Sequence, residues 1–151
     1  MAAQRMKIGQ LVEIELRDGS RAFGRVISRS EMAFYDLLAK PGAAFEVEAI
    51  YKSKVAFTLS VMNSAVKSGR WRVVDWRNLE HVFQRERLYF LRDAITGEIS
   101  IYNAASGEIV PAIAGEEVGL ERAAVWDAAH VEDRLADYFA GVLNRWVQQL
   151  S

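Results

Sequence analysis

His81 and His130 are the only imidazoles in the chain, and beside its carboxylates they are the first candidates for metal binding or proton transfer. A metal centre needs several ligands converging on one point, and spacings such as His-x-x-x-His or His-Glu-x-x-His bring two of them to one helix face. Neither spacing occurs here. His130 fits the first turn of a helix and His81 a solvated loop. With no cysteine there is no thiolate ligand, no disulfide and no cysteine nucleophile. No Gly-x-Ser-x-Gly elbow is present, and Ser68-Gly69 and Ser106-Gly107 read as turn pairs. Neither a Walker sequence nor Gly-x-Gly-x-x-Gly marks a phosphate cradle. Glu13 and Glu15 share one strand face, as a carboxylate pair for acid–base chemistry must. Arginines on the adjoining strand make cross-strand ion pairs the better account of them. The expectation is a protein that is not an enzyme and holds neither metal nor cofactor.

Binding chemistry is better represented. Arg21, Arg25 and Arg29 share a strand face with Phe23 and Ile27 between them. Arginines interleaved with aromatics suit single-stranded nucleic acid. Glu13 and Glu15 lie beside them, and a formal charge of −1 gives no basic field. A small barrel binding nucleic acid through Arg21, Phe23 and Arg25 is therefore the alternative function, not the first. Of the four tryptophans, Trp71, Trp76, Trp126 and Trp146, the one beside Arg77 and next to a loop is placed at the surface. Core packing and interface anchoring both use such side chains. The candidate partner-binding residues are Arg25, Tyr35, Asp36 and Trp76, near the first hairpin and its loops.

The elements that must position these residues start with that hairpin. Val12–Leu16 alternates apolar and acidic residues, the mark of a strand with one buried face. Asp18-Gly19 marks a tight reversal before Arg21–Ser28. With Arg17-Asp18-Gly19 as a three-residue loop, Gly19 takes the left-handed position, Glu15 faces Arg21 and Ile14 faces Ala22. Val12, Ile14, Leu16, Ala22, Gly24 and Val26 then share the buried face. Glu13, Glu15, Arg21, Phe23 and Arg25 share the solvated one. A two-residue loop would put Arg25 opposite Val12 on the buried face, where an unpaired guanidinium costs several kcal/mol, roughly. Further strands are expected around Ala33–Tyr35, over the alternating Phe45–Tyr51, over Lys54–Met62, and over Trp71–Trp76 with Trp71, Val73 and Asp75 on one side. Arg77–Arg87 reads as a connection. Arg87–Asp93 and Glu98–Tyr102 flank Thr96-Gly97 as a second hairpin, and Glu108–Val110 follows Ser106-Gly107. Near the end, Val131, Leu135, Tyr138, Phe139, Val142, Trp146 and Leu150 form a helical stripe. Asp127 is its N-cap, and Gly141 is a place for it to bend or restart.

About half the residues are apolar, enough for a sizeable core. The expected fold is α+β: a bent antiparallel β-sheet or small barrel with a C-terminal helix packed on it. A single domain is expected over residues 1–151, strand-rich over 7–126 and helical over about 127–150. No stretch approaches the ~20 apolar residues of a membrane span, and residues 1–9 lack a signal-peptide core, so the expected location is the cytoplasm.

Several short runs, in order along the chain, resemble one family. Lys7-Ile8-Gly9, Ile14-Glu15-Leu16, Asp18-Gly19 and Phe23-Gly24-Arg25-Val26 are similar to the opening of the immunity-protein-26 family of bacterial polymorphic toxin systems. Trp71-Arg72-Val73-Val74 also resembles that family, with Asp75 where it commonly has glycine. So do Leu120–Trp126, His130-Val131-Glu132 and Arg134-Leu135. The resemblance implies a protein that binds and neutralises a cognate toxin, with no catalytic residues to carry over.

Overall fold

The computed structural model describes residues 2–151. Its strands in chain order are β1 (Gln10–Glu15), β2 (Arg21–Val26), β3 (Glu31–Tyr35), β4 (Val55–Val61), β5 (Arg72–Trp76), β6 (Leu88–Arg92), β7 (Ile99–Asn103), β8 (Ile109–Pro111), β9 (Glu121–Arg122) and β10 (Val125–Trp126). Its helices are α1 (Val47–Lys52), α2 (Ser64–Lys67), α3 (Ala128–Ala140) and α4 (Arg145–Leu150). The fold is α+β. The chain divides into two compact units: one takes the chain up to Leu79 together with Val125–Gln149, the other Glu80–Ala124 with Leu150 and Ser151.

The first hairpin has the expected register, with Glu15 opposite Arg21, Ile14 opposite Ala22 and Val12 opposite Gly24. Leu16 N–H donates to Ser20 O at 2.8 Å, and Gly19 sits at φ +83° in the three-residue loop. Asp18 accepts the Ser20 hydroxyl and amide, and these bonds hold its carboxyl below the usual carboxylate value. The hairpin belongs to an open six-stranded sheet of order β10-β4-β3-β2-β1-β5. Every pairing in it is antiparallel except the two-residue contact of β10 with β4. The sheet has two edges, so the barrel form of the expectation does not occur.

One face of this sheet is the apolar one read from the alternation. Val12, Ile14, Ala22, Val26, Met32, Phe34, Leu59 and Val61 are buried on it. Gly24 is small by necessity: an added Cβ would lie 3.2 Å from both Met32 Cε and the Phe34 ring. Trp71 meets Phe34 edge-on at 5.9 Å. Helix α3 packs on this face. Arg134 lies 4.0 Å over the Phe57 ring, and Glu132 accepts the Trp71 indole N–H at 2.9 Å.

The opposite face corrects the sequence reading. Phe23 and Arg25, expected in solvent, are fully buried. The segment between β3 and β4 covers them. Phe45 packs on Phe23 with ring centroids 4.9 Å apart, and Arg21 donates to the carbonyls of Lys40 and Ala43. Part of the cover is α1, where the alternation of Phe45–Tyr51 suggests a strand. Val47, Ile50 and Tyr51 also fit i, i+3, i+4 spacing, and over so short a run tertiary packing decides between the two periods. Ile50 is buried in the result.

Strand β5 departs from strict alternation as well. It pairs Asp75 with Leu11 but Val73 with Val12, so Val74 is an extra residue in a β-bulge. The bulge sends Asp75 to the face opposite Val73, so Trp71, Val73 and Asp75 do not share a side.

At the C-terminus, Asp127 caps α3 by accepting the His130 N–H at 2.9 Å. Gly141, left-handed at φ +73°, ends the helix, and the chain restarts as α4. Val131 and Leu135 are buried as expected. Tyr138 and Val142 are not, at 39% and 56% exposure. Val142 lies past the end of α3, and Tyr138 lies at the rim, edge-on to Phe57 at 5.8 Å. Trp146 folds back to stack on His130 at 3.7 Å.

The second unit holds a four-stranded sheet of order β8-β7-β6-β9. The hairpin expected around Thr96-Gly97 is present, with Leu88 opposite Asn103 and Phe90 opposite Ile101. Asp93 starts its turn by accepting the Ile95 and Thr96 amides at 2.8 Å. Phe83, Tyr89, Phe90 and Ile101 are its buried residues. Edge strand β8 leaves Ile109 and Val110 exposed and ends in Pro111.

Candidate partner-binding surface

The end of the larger sheet where β1 begins and β5 finishes is organised around Arg25. This side chain leaves β2 on the covered face. Its Nε donates to Gly9 O at 2.7 Å, just before β1. One terminal nitrogen donates to Arg77 O and Asn78 O at 2.9 and 3.1 Å, just after β5, and the other to the Tyr35 hydroxyl at 3.1 Å. A single planar fork therefore ties together three separate stretches of backbone and side chain. The five fixed N–H groups of a guanidinium suit it to this geometry, and a lysine has no equivalent fork.

A second layer lies over the fork. The Tyr51 ring, carried by α1, sits 4.8 Å from the Arg25 guanidinium carbon. Its hydroxyl donates to Asp75 Oδ2 at 2.9 Å. Burial, and then the bond to Asp75, push this phenol well above the usual tyrosine value. Asp75 reaches it only because of the bulge at Val74. Arg77 stacks on Tyr51 at 3.6 Å and pairs with Glu48.

Trp76 stands at the rim of this assembly with 42% of its surface exposed. It is nonetheless fixed. Its indole N–H donates to Ile8 O at 2.9 Å, and Lys7 Nζ lies 4.2 Å from the ring centroid. Gly9 makes the close approach possible. At φ +101° a Cβ there would fall 2.7 Å from Trp76 Nε1 and inside contact distance of Arg77 O. Gly9→Ala is expected to cost about 1–3 kcal/mol from backbone strain, before any displacement of its neighbours. Urea unfolding measures the loss, and a shifted Trp76 emission would accompany it.

Of the residues singled out from sequence, the structure brings together Arg25, Tyr35 and the residue after Trp76. Arg25 and Tyr35 do so as buried groups, 0% and 1% exposed, and correct the expectation that they lie on an exposed hairpin. Asp36 is elsewhere. It follows β3 at the sheet end that holds the Arg17–Gly19 loop, opposite to Trp76. There it pairs with Lys54 at 3.5 Å, and burial together with the Asp36 carboxylate raises the Tyr138 phenol above the usual tyrosine value. The alternative nucleic-acid face loses its surface, because Phe23 and Arg25 are covered and Arg21 is largely so.

Among the described residues no three His, Asp or Glu side chains form a group able to hold a metal ion. No helix among them is long and apolar enough to cross a membrane. No curated protein and no solved structure shows significant similarity to the chain. A family model does: Immunity protein 26 matches residues 7–100. The matched span contains both halves of the Arg25 assembly, Lys7-Ile8-Gly9 and Gly24-Arg25-Val26, together with Trp71–Val74. The later runs over 120–126 and 130–135 lie beyond it. With more than half of its length matched, and with Gly9 and Arg25 of the resembling runs bonded to each other, the chain belongs to the Immunity protein 26 family.

Proposed function

We propose that the chain neutralises a cognate toxin in the cytoplasm by stoichiometric binding, covering the toxin's active site or substrate channel. Its family is one of immunity proteins rather than enzymes. The observation that carries the reading to a surface is Trp76: exposed, yet held by Ile8 O and Lys7 above a buried arginine frame. A large aromatic fixed before contact loses little conformational freedom on binding, and tryptophan is the residue most often found as an interface anchor. In this reading Trp76 is the partner-contacting residue. Arg25 and Tyr35 support it from behind, and Asp36 serves a separate rim. Interfaces of this kind typically bury ~800 Å² on each partner.

The experiment is co-expression with the neighbouring toxin gene, followed by gel filtration. A surviving one-to-one complex and rescued growth are expected. Equal killing with and without this chain, and no complex, would end the reading. Trp76→Ala should weaken the complex by about 2 kcal/mol or more, roughly 30-fold, in a protein that remains folded by circular dichroism at the assay temperature despite the lost Ile8 bond. An unaltered affinity would move the anchor elsewhere.

A further inference from the structure

Charged side chains on the larger unit are mostly neutralised within it. Arg17 meets Asp133 and Asp137 at 3.6 and 3.1 Å, Arg70 meets Glu132 at 2.7 Å, and Arg72 meets Glu13 at 3.3 Å. At the sheet end that carries Trp76, three cations are not so neutralised. Three loops converge there: the lead into β1, the β2–β3 turn, and α2 after β4. They bring Lys7, Arg29 and Lys67 to one side of the molecule, all exposed. None of the three has a carboxylate partner among the described residues. Glu31, the acid of the β2–β3 turn, is buried and bonded to the Ser28 hydroxyl at 3.2 Å. Arg29 and Lys67 flank a groove of about 240 Å³ whose apolar lining is Met6, Ile8 and Val26. Ile8 joins the groove to Trp76 through its carbonyl.

We infer that this groove and the adjoining Trp76 receive an acidic segment of the partner protein, an apolar side chain filling the floor and carboxylates meeting Lys7, Arg29 and Lys67. The inference rests on the reading of the chain as a toxin binder, and adds the chemistry of the segment it grips. Cations without carboxylate partners around an apolar floor favour a ligand that carries both anionic and apolar groups. They steer such a ligand in solution and fix its register on contact. A nucleic-acid strand would offer charge and base faces for Trp76, but it also needs a continuous cationic track. The chain's overall charge of −1 supplies no wider field to track a phosphate backbone.

The test uses the full chain and a catalytically inactivated product of the neighbouring toxin gene. Association and dissociation rates are measured at low and high salt for the wild type, the double variant Arg29→Glu/Lys67→Glu, and the conservative Arg29→Lys. The wild type should associate roughly tenfold or more faster than the double variant at low salt, with the difference shrinking at high salt. Arg29→Lys should stay close to wild type. Both changed residues are exposed, so unchanged melting curves verify that only the surface differs. A double variant that binds with wild-type rates overturns this inference and leaves toxin binding intact. Absence of a wild-type complex overturns both. A 12-nucleotide oligothymidine that displaces the toxin from the wild type, but does not bind the double variant, assigns the groove to nucleic acid and overturns the acidic-segment reading.

Discussion

Arg25→Met is expected to destabilise the protein by about 3–5 kcal/mol, the range for removing one partner from a buried charged network. The methionine would fill much of the space, so a cavity is not the main cost. The loss comes from acceptors left dry. Arg77 O and Asn78 O take bonds from this one guanidinium, the Tyr35 hydroxyl shares it, and Gly9 O would keep only its long bond from the Arg77 N–H at 3.3 Å. Each unsatisfied buried group costs ~1–3 kcal/mol. Arg25→Lys should recover part of the loss, because it restores charge without the fork. Urea denaturation of the three proteins reads the difference directly. A loss below about 1 kcal/mol for the methionine variant would mean that water enters and replaces the guanidinium.

Leu135→Ala is the second large effect, at about 2–5 kcal/mol. Leu135 is fully buried on α3, against the apolar face of the six-stranded sheet. Truncating it removes transfer energy and leaves a void that helix and sheet can close only in part. The spread of the range reflects how far α3 can settle. Thermal melts of this variant and of Val142→Ala should differ sharply, since Val142 is solvent-exposed beyond the helix. Equal melts would detach α3 from the core.

The contrast between those two positions shows what the sequence makes legible. Val131, Leu135, Tyr138 and Val142 all obey helical spacing, but spacing does not say where a helix stops. Gly141 ends it, and the last two positions come out at the rim. The hairpin register was readable because loop chemistry and alternation agree, down to Glu15 facing Arg21. The cost of burying Arg25 does not enter, because the guanidinium is buried and paired in the observed register as well. Nothing local says that residues 39–52 fold over the far face of the sheet. A charged residue on an alternating strand looks the same whether water or a tyrosine ring and four acceptors surround it. The bulge at Val74 is equally silent, since it inserts one residue without a glycine or proline to mark it. The surface position of Trp76 is legible from its neighbour Arg77 and the following loop. Lys7 and Lys67 had no such signal. Only the order of strands, which brings alternate loops to one end of a sheet, places them beside it.

Strand β8 bears on how concentrated this protein can become. Crowded chains with open strand edges tend to pair edge to edge. In β8 two apolar side chains, Ile109 and Val110, are exposed on such an edge. Its length of three residues limits the template. Ala112 N–H donates inward to Ile99 O at 2.9 Å, so by alternation the Pro111 position faces outward, where a neighbouring strand would look for a donor. Proline has none. At this edge the missing donor interrupts the hydrogen-bond ladder that a second strand would need, so β8 is a poor template for strand addition.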